Sequence, residues 1–232
     1  MNDPAGRLIT RLLELRDPAF APPPFDAAVA EAVLGPSGAM LTPHRRLLEL
    51  VNGAYLHDHS LHLLGACEGP RWHSLRVWNA RETWREVFGT VDEALVFFAE
   101  DAFGDQFAYN GVGGEVVVFE AEIGRVVPFA PSFTAWMEEM LERPTAILPI
   151  DVMAHQRAGG HLHTPGTQLL AWPPLATVES RDGVEIGHVD AVEAMRFRGQ
   201  LASQVARAPR GTPVRIDLGA GLVPGGSGGD VG

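Results

Sequence analysis

Four short runs rich in Val and Phe, residues 95–99, 106–109, 115–120 and 125–129, follow one another within 35 positions. The breaks between them are Asp101-Ala102-Phe103-Gly104-Asp105, Asn110-Gly111-Val112-Gly113-Gly114 and Ala121-Glu122-Ile123-Gly124. A parallel crossover needs about a dozen residues or more, so connections this short force neighbouring strands to run antiparallel. The chain is therefore predicted to build a four-stranded meander here. Ser132 then caps a helix whose Phe133, Trp136, Met137, Met140 and Leu141 recur at i, i+3, i+4, i+7 and i+8. That apolar stripe is suited to lie across one side of the sheet. The other face and its turns are then expected to meet a protein partner.

The flanks read as helices with occasional strands. Asp3-Pro4 is a cap followed by a first-turn proline, and Leu8, Leu12 and Leu15 continue the helical spacing until Asp17-Pro18. Pro22-Pro23-Pro24 makes a stiff connector, followed by a short helix over 26–34. Thr42-Pro43 repeats the capped start, with Leu47, Leu48 and Val51 on one side and Asn52-Gly53 as a left-handed terminus. A strand is expected at 61–64. Asn79 with Glu82 resembles a capping box opening a helix with Trp84, Val87 and Phe88 inward, ended by Gly89. Residues 144–183 are rich in Pro, Gly and His and weakly periodic. A strand at 184–189, a helix capped by Asp190 with Glu193 and reaching about Ala206, and a last strand at 214–218 follow. From Gly219 half the residues are glycine, which predicts disorder. The domain reading is thus a binding domain over 1–143, an α/β extension over 144–218 packing on it, and a tail over 219–232.

Acidic side chains outnumber basic ones 29 to 18, a formal charge of -11. Such a surface repels phosphates and anionic lipid, which argues against nucleic acid and membrane as partners and favours encounter with a basic one, if it does more than keep the chain soluble. The one cysteine, Cys67, excludes a disulfide framework and a cysteine-rich metal site, and beside Gly65-Ala66 it reads as an inert packing residue. No secretory pattern opens the chain and no run of about 18 apolar residues occurs, so a cytoplasmic protein is expected.

Chemical motifs are sparse. Gly225-Gly226-Ser227-Gly228-Gly229 spells a hydrolase elbow but lies in the glycine-rich tail, where no strand-to-helix turn can hold the serine. Gly111-Val112-Gly113-Gly114 leads into a strand rather than a helix N-terminus, so it reads as a hairpin turn and not a phosphate cradle. His57, Asp58, His59 and His62 lie close together, and His161 and His163 alternate with His155 nearby. Alternate imidazoles on a strand can bind zinc, yet no His-Glu-x-x-His helix or cysteine pair accompanies them; solvated or hydrogen-bonded histidine is the plain reading, and a metal-dependent enzyme using His57, His59, His161 or His163 the alternative. Glu100, Asp101 and Asp105 could serve as acid and base in a cleft, but a turn between strands is where Asp bonds its own backbone. No catalytic residue and no cofactor is assigned.

Phe98-Ala99-Glu100-Asp101-Ala102-Phe103-Gly104-Asp105-Gln106-Phe107, then Gly114-Glu115-Val116-Val117-Val118-Phe119, then Gly124-Arg125-Val126-Val127-Pro128-Phe129, then Ser132-Phe133 resembles the core of the SUKH superfamily. Its marks are an Asp-x-x-Gly turn, a strand pair and a Ser-Phe helix start, and Leu47-Leu48-Glu49-Leu50-Val51-Asn52-Gly53 is similar to the family's helix ending in Asn-Gly. The resemblance covers roughly residues 40–143. Gly187-His188-Val189-Asp190, Gly199-Gln200-Leu201-Ala202-Ser203-Gln204 and Gly211-Thr212-Pro213 resemble the tail of type VI secretion immunity proteins that share this core, although residues 176–182 lack the usual glycine-rich turn. The resemblance implies an α+β fold, an antiparallel sheet packed by helices, that binds proteins without catalysis. Many bacterial members neutralise secreted effector toxins; others, fungal cell-wall regulators among them, act in signalling or as scaffolds. The expected partner is a cognate toxin, basic if charge steers it, with Glu100, Asp101, Phe103 and Asp105 as the candidate contact.

Overall fold

The computed structural model describes residues 3–35, 41–89, 91–111 and 114–207. Three helices lead in: α1 (Pro4–Glu14), α2 (Ala27–Leu34) and α3 (Thr42–Leu50). Asp3 Oδ1 accepts from Gly6 N–H, the expected cap, and Asp26, read as the first residue of its helix, instead caps it, its Oδ1 accepting from Ala28 and Val29 N–H. The cap expected at Thr42 is not made: the N-cap of α3 is Leu41, with no side-chain bond, and Thr42-Pro43 form its first turn.

Six strands then form one sheet in sequence order, every neighbouring pair antiparallel. They are β1 (Ala54–Leu56), β2 (Leu61–Leu63), β3 (Leu95–Asp101), β4 (Gln106–Asn110), β5 (Val116–Glu120) and β6 (Arg125–Ala130). The predicted meander is β3 to β6. Between β2 and β3 the chain leaves the sheet through α4 (Leu75–Asn79), a π-helical turn (Arg81–Arg85) and α5 (Glu86–Phe88). Ser74, not Asn79, caps this excursion. Asn79 instead acts as a strand in miniature: its Oδ1 accepts from Phe97 N–H at 2.8 Å and its Nδ2 donates to Phe97 O at 2.7 Å, where the β3–β4 register shifts between Phe97 and Ala99.

The sheet is covered on both sides at its centre, which corrects the expectation of a free face. On one side α6 (Phe133–Glu142), capped by Ser132, puts Trp136 5.2 Å from Phe98 and 5.6 Å from Phe107, ring centre to ring centre. On the other, Trp84 lies 5.0 Å from Phe97 and Phe88 5.0 Å from Phe119. Adjacent residues of a strand point to opposite faces, so Phe97-Phe98 needs an apolar layer on each side.

Behind the π-helical turn and α5 on this second side packs the C-terminal segment. After α7 (Pro144–Ile147) and α8 (Ile150–Ala158), β7 (Thr167–Trp172) pairs antiparallel with β8 (Glu185–Asp190), and α9 (Ala191–Arg207) follows, its first N–H groups accepted by Asp190. Strand β7 falls in a stretch read above as irregular. Arg196 on α9 donates to the Thr83 and Glu82 carbonyls, and Ser203 to the Val87 carbonyl, occupying acceptors that the π-helical turn and α5 leave over. The strand expected at 214–218 and the tail lie outside the described residues.

Phe98→Ala and Trp84→Ala empty opposite faces, and each should lower the unfolding free energy of the full chain by about 3–5 kcal/mol in denaturant titrations. A loss under about 1 kcal/mol at either position would show that its face is not packed.

Candidate functional site

Four residues that face one another across successive strands form a polar row through the apolar sheet: Tyr55 opposite His62, His62 opposite Glu100, Glu100 opposite Gln106. All four are buried, Glu100 with 4% of its surface exposed. A carboxylate taken out of water is tolerated only when its lone pairs are used. Here Oε1 meets His62 Nδ1 at 3.0 Å, and Oε2 accepts from Gln106 Nε2 at 3.0 Å and Gln168 Nε2 at 2.7 Å.

The chain of bonds continues both ways. His62 Nε2 meets His73 Nδ1 at 2.9 Å, and His73 Nε2 meets the Asn52 carbonyl at 2.9 Å. Burial, with His62 adding to it, holds His73 down to about 3, so it stays neutral. A carbonyl only accepts, so His73 donates from Nε2 and must accept at Nδ1. His62 then donates from Nε2 to His73. Toward the C-terminal segment, Gln168 Oε1 accepts from Arg198 at 2.7 Å while its Nε2 serves Glu100. One amide therefore bridges a buried carboxylate and a buried guanidinium, and Arg198 also donates to the Leu169 carbonyl. Gly104 packs against Gln168 at φ +81, where any Cβ would strike the amide at 2.5 Å.

At the Tyr55 end of the row a cleft of about 380 Å³ opens to solvent between the chain after α1, the β1–β2 turn, α8 and residues 161–165. The turn is strained: His57, Asp58 and His59 have φ of 50°, 57° and 69° in succession. Left-handed backbone costs an L-residue about 1–2 kcal/mol, so three in a row persist only where neighbours hold them. His59 stacks on Tyr55 at 4.6 Å and bonds Asp17 Oδ2 through Nε2 at 2.7 Å; Asp58 accepts from Arg157 at 2.8 Å; and Ala102 N–H donates to the Ser60 carbonyl. Asp17 also accepts from Ala19 N–H, and that bond leads the causes holding its carboxyl below the usual range. His163 lies 5.5 Å from His59 and 5.5 Å from His188, and burial first, then these imidazoles, hold it down to about 3.

The residues singled out from the sequence are placed as follows. Glu100 is interior and no partner reaches it, which removes it from the proposed contact. Asp101 Oδ1 accepts from Phe103 and Asp105 N–H, the turn role weighed for it, and Asp105 Oδ1 accepts from Ala121 N–H; burial raises both carboxyls, Asp101 well above its ordinary value. Phe103, half-buried, packs with Met153, a wall of the cleft. His59 and His163 come together, whereas His161 is exposed and His57 bonds the Met140 backbone. Among the described residues no three His, Cys, Asp or Glu side chains are placed to hold a metal ion. Tyr55, Asp17, Gln168 and Arg198 were not singled out. The signal for the row was a polar residue at an inward position of an apolar strand: His62 between Leu61 and Leu63, Gln168 before Leu169-Leu170.

Compared with known families, residues 43–139 match the SMI1 / KNR4 family (SUKH-1). The match spans α3, the sheet and most of α6, and therefore His62, Glu100 and Gln106 but neither Gln168 nor Arg198. No curated protein matches the chain. No helix among the described residues is long and apolar enough to cross a membrane.

His44, His73 and His163 each titrate near 3 in the folded chain and near 6.5 when exposed. Between those values the unfolded chain holds the extra proton, so stability falls as pH drops below 6.5, by up to about 1.4 kcal/mol per pH unit for each group. The raised Asp101 and Asp105 oppose this, since they bind protons in the fold. Substituting His163→Gln isolates one imidazole: the slope of stability against pH between 6 and 5 should flatten by up to about 1.4 kcal/mol per unit. An unchanged slope would mean that His163 titrates normally.

Proposed function

Residues 43–139 belong to the SUKH superfamily, and from that premise we propose that the chain is a non-enzymatic immunity protein, one that neutralises a cognate secreted effector toxin in the cytoplasm by binding it. The family match carries this reading, and the geometry supports it. Among the described residues the one buried carboxylate–imidazole pair, Glu100 with His62, is sealed at 4% and 3% exposure, where no substrate can approach. The open pair, Asp17 with His59, stands in a cleft whose lining contains no Ser, Thr or Cys nucleophile. Rigid walls, a strained turn and aromatic surface are what a partner's anchor side chain requires. With the sheet's centre covered on both faces, the partner meets turns and edges; the cleft is the principal contact, with Phe103 and the accessible rims of Asp101 and Asp105 beside it. The type VI secretion setting follows from the resemblance of the C-terminal segment. The formal charge of -11 favours a basic toxin through faster encounter.

Co-expression tests this directly. The full chain should restore growth to cells producing the toxin domain encoded beside its gene, and the two should copurify. Their association rate should drop about tenfold or more from 50 to 500 mM salt if charge steers the encounter. Failure of both rescue and copurification would reject immunity and leave a regulatory scaffold of the same fold as the reading.

A further inference from the structure

We propose that the cleft beside the β1–β2 turn is a receptor for a guanidinium group, and that the partner seats an arginine there; the second half rests on the immunity reading, the first does not. Two carboxylates flank the opening, Asp17 and Asp58, with side chains 26% and 65% exposed. The walls between them are aromatic: Phe20, His59 and His163, with Tyr55 behind, its ring 5.2 Å from Phe20 and 4.6 Å from His59. His163 is held neutral by its buried surroundings, so it offers a ring face without a repelling charge. Carboxylates set beside aromatic faces suit a planar, weakly hydrated cation that can stack and bond at once, which is guanidinium rather than ammonium.

The chain itself supplies a precedent. Arg157 on α8 reaches across 99 positions of sequence to bond Asp58 at 2.8 Å, and its charge also lowers the Asp17 carboxyl. It sits at the rim as an internal competitor, half exposed at 50%. Two acids, Asp17 and Asp58, against one base, Arg157, leave the lining one positive charge short of balance. Leu162, 71% exposed at the same rim, offers apolar cover that would exclude water around an inserted side chain.

The test uses the full chain and arginine amide as the probe, with norleucine amide as the uncharged control of similar length, read by NMR at the His59 and His163 ring protons. Arginine amide should shift both rings saturably and norleucine amide should not. Asp17→Asn, which keeps the acceptor for Ala19 N–H, should weaken arginine amide binding about two- to fivefold. Arg157→Ala should tighten it by a similar factor, because it removes the competitor and frees Asp58. Structural damage cannot produce effects of opposite sign. Equal response to the two amides, or Arg157→Ala that weakens binding or leaves it unchanged, would overturn the assignment. Arginine amide binding in a chain that captures no toxin would discard the immunity reading and keep the site; toxin capture without arginine amide binding would do the reverse.

Discussion

A carboxylate in the middle of an apolar sheet is the constraint around which this molecule is built. Glu100 is buried from solvent, and its oxygens are met by an imidazole from β2 and amides from β4 and β7. Each partner is in turn fixed by another group. Gln106 Oε1 accepts from the Trp78 indole, Gln168 Oε1 from Arg198, and His62 is backed by His73 and the Asn52 carbonyl. Removing any member strands the others without partners in a low-dielectric interior, which makes the network a single unit rather than a set of separate bonds. It also joins the matched region to the C-terminal segment, since Gln168 and Arg198 lie outside residues 43–139.

That joint explains where a partner can bind. Strands β3 and β4 carry large apolar side chains on both faces, one under α6 and the other under α4, α5 and α9, so no sheet face is free at the centre. What remains are the turns and the seams where segments meet. The cleft is such a seam: the chain after α1, the β1–β2 turn and residues 163–166 converge on Tyr55, whose hydroxyl accepts from Gly166 N–H and whose ring supports His59. Rigidity at the cleft is thus inherited from the polar row beneath it.

Much of the frame was legible in the sequence because its signals are local. Turn length forces the meander, Val and Phe density marks β3 to β6, and Asp3, Ser132 and Asp190 all cap the helices they precede. What could not be read depends on contacts distant in the chain. Strand β1 is three residues long and β7 sits among Pro, Gly and His, so neither shows a period. Trp84 and Phe88 read as inward, but the layer that α9 adds behind them does not, because it comes from residues 191–207, far beyond the strands in sequence. Asn79 has the spacing of a cap, yet the register shift in β3 offers its amide two better-placed partners. Of the acids, Asp101 fulfils the turn role that its spacing suggests. Glu100, its neighbour, points into the sheet because side chains alternate along a strand, and only the positions of His62, Gln106 and Gln168 reveal that a charge there can be satisfied.

Glu100 and Gln168 together join the sheet to the C-terminal segment. A double-mutant cycle on the full chain, Glu100→Ala, Gln168→Ala and both, followed by denaturant unfolding, measures that coupling directly. The expected coupling is about 1.5–3 kcal/mol, the range of a hydrogen bond to a buried charge. Additive effects, with coupling below about 0.5 kcal/mol, would contradict it.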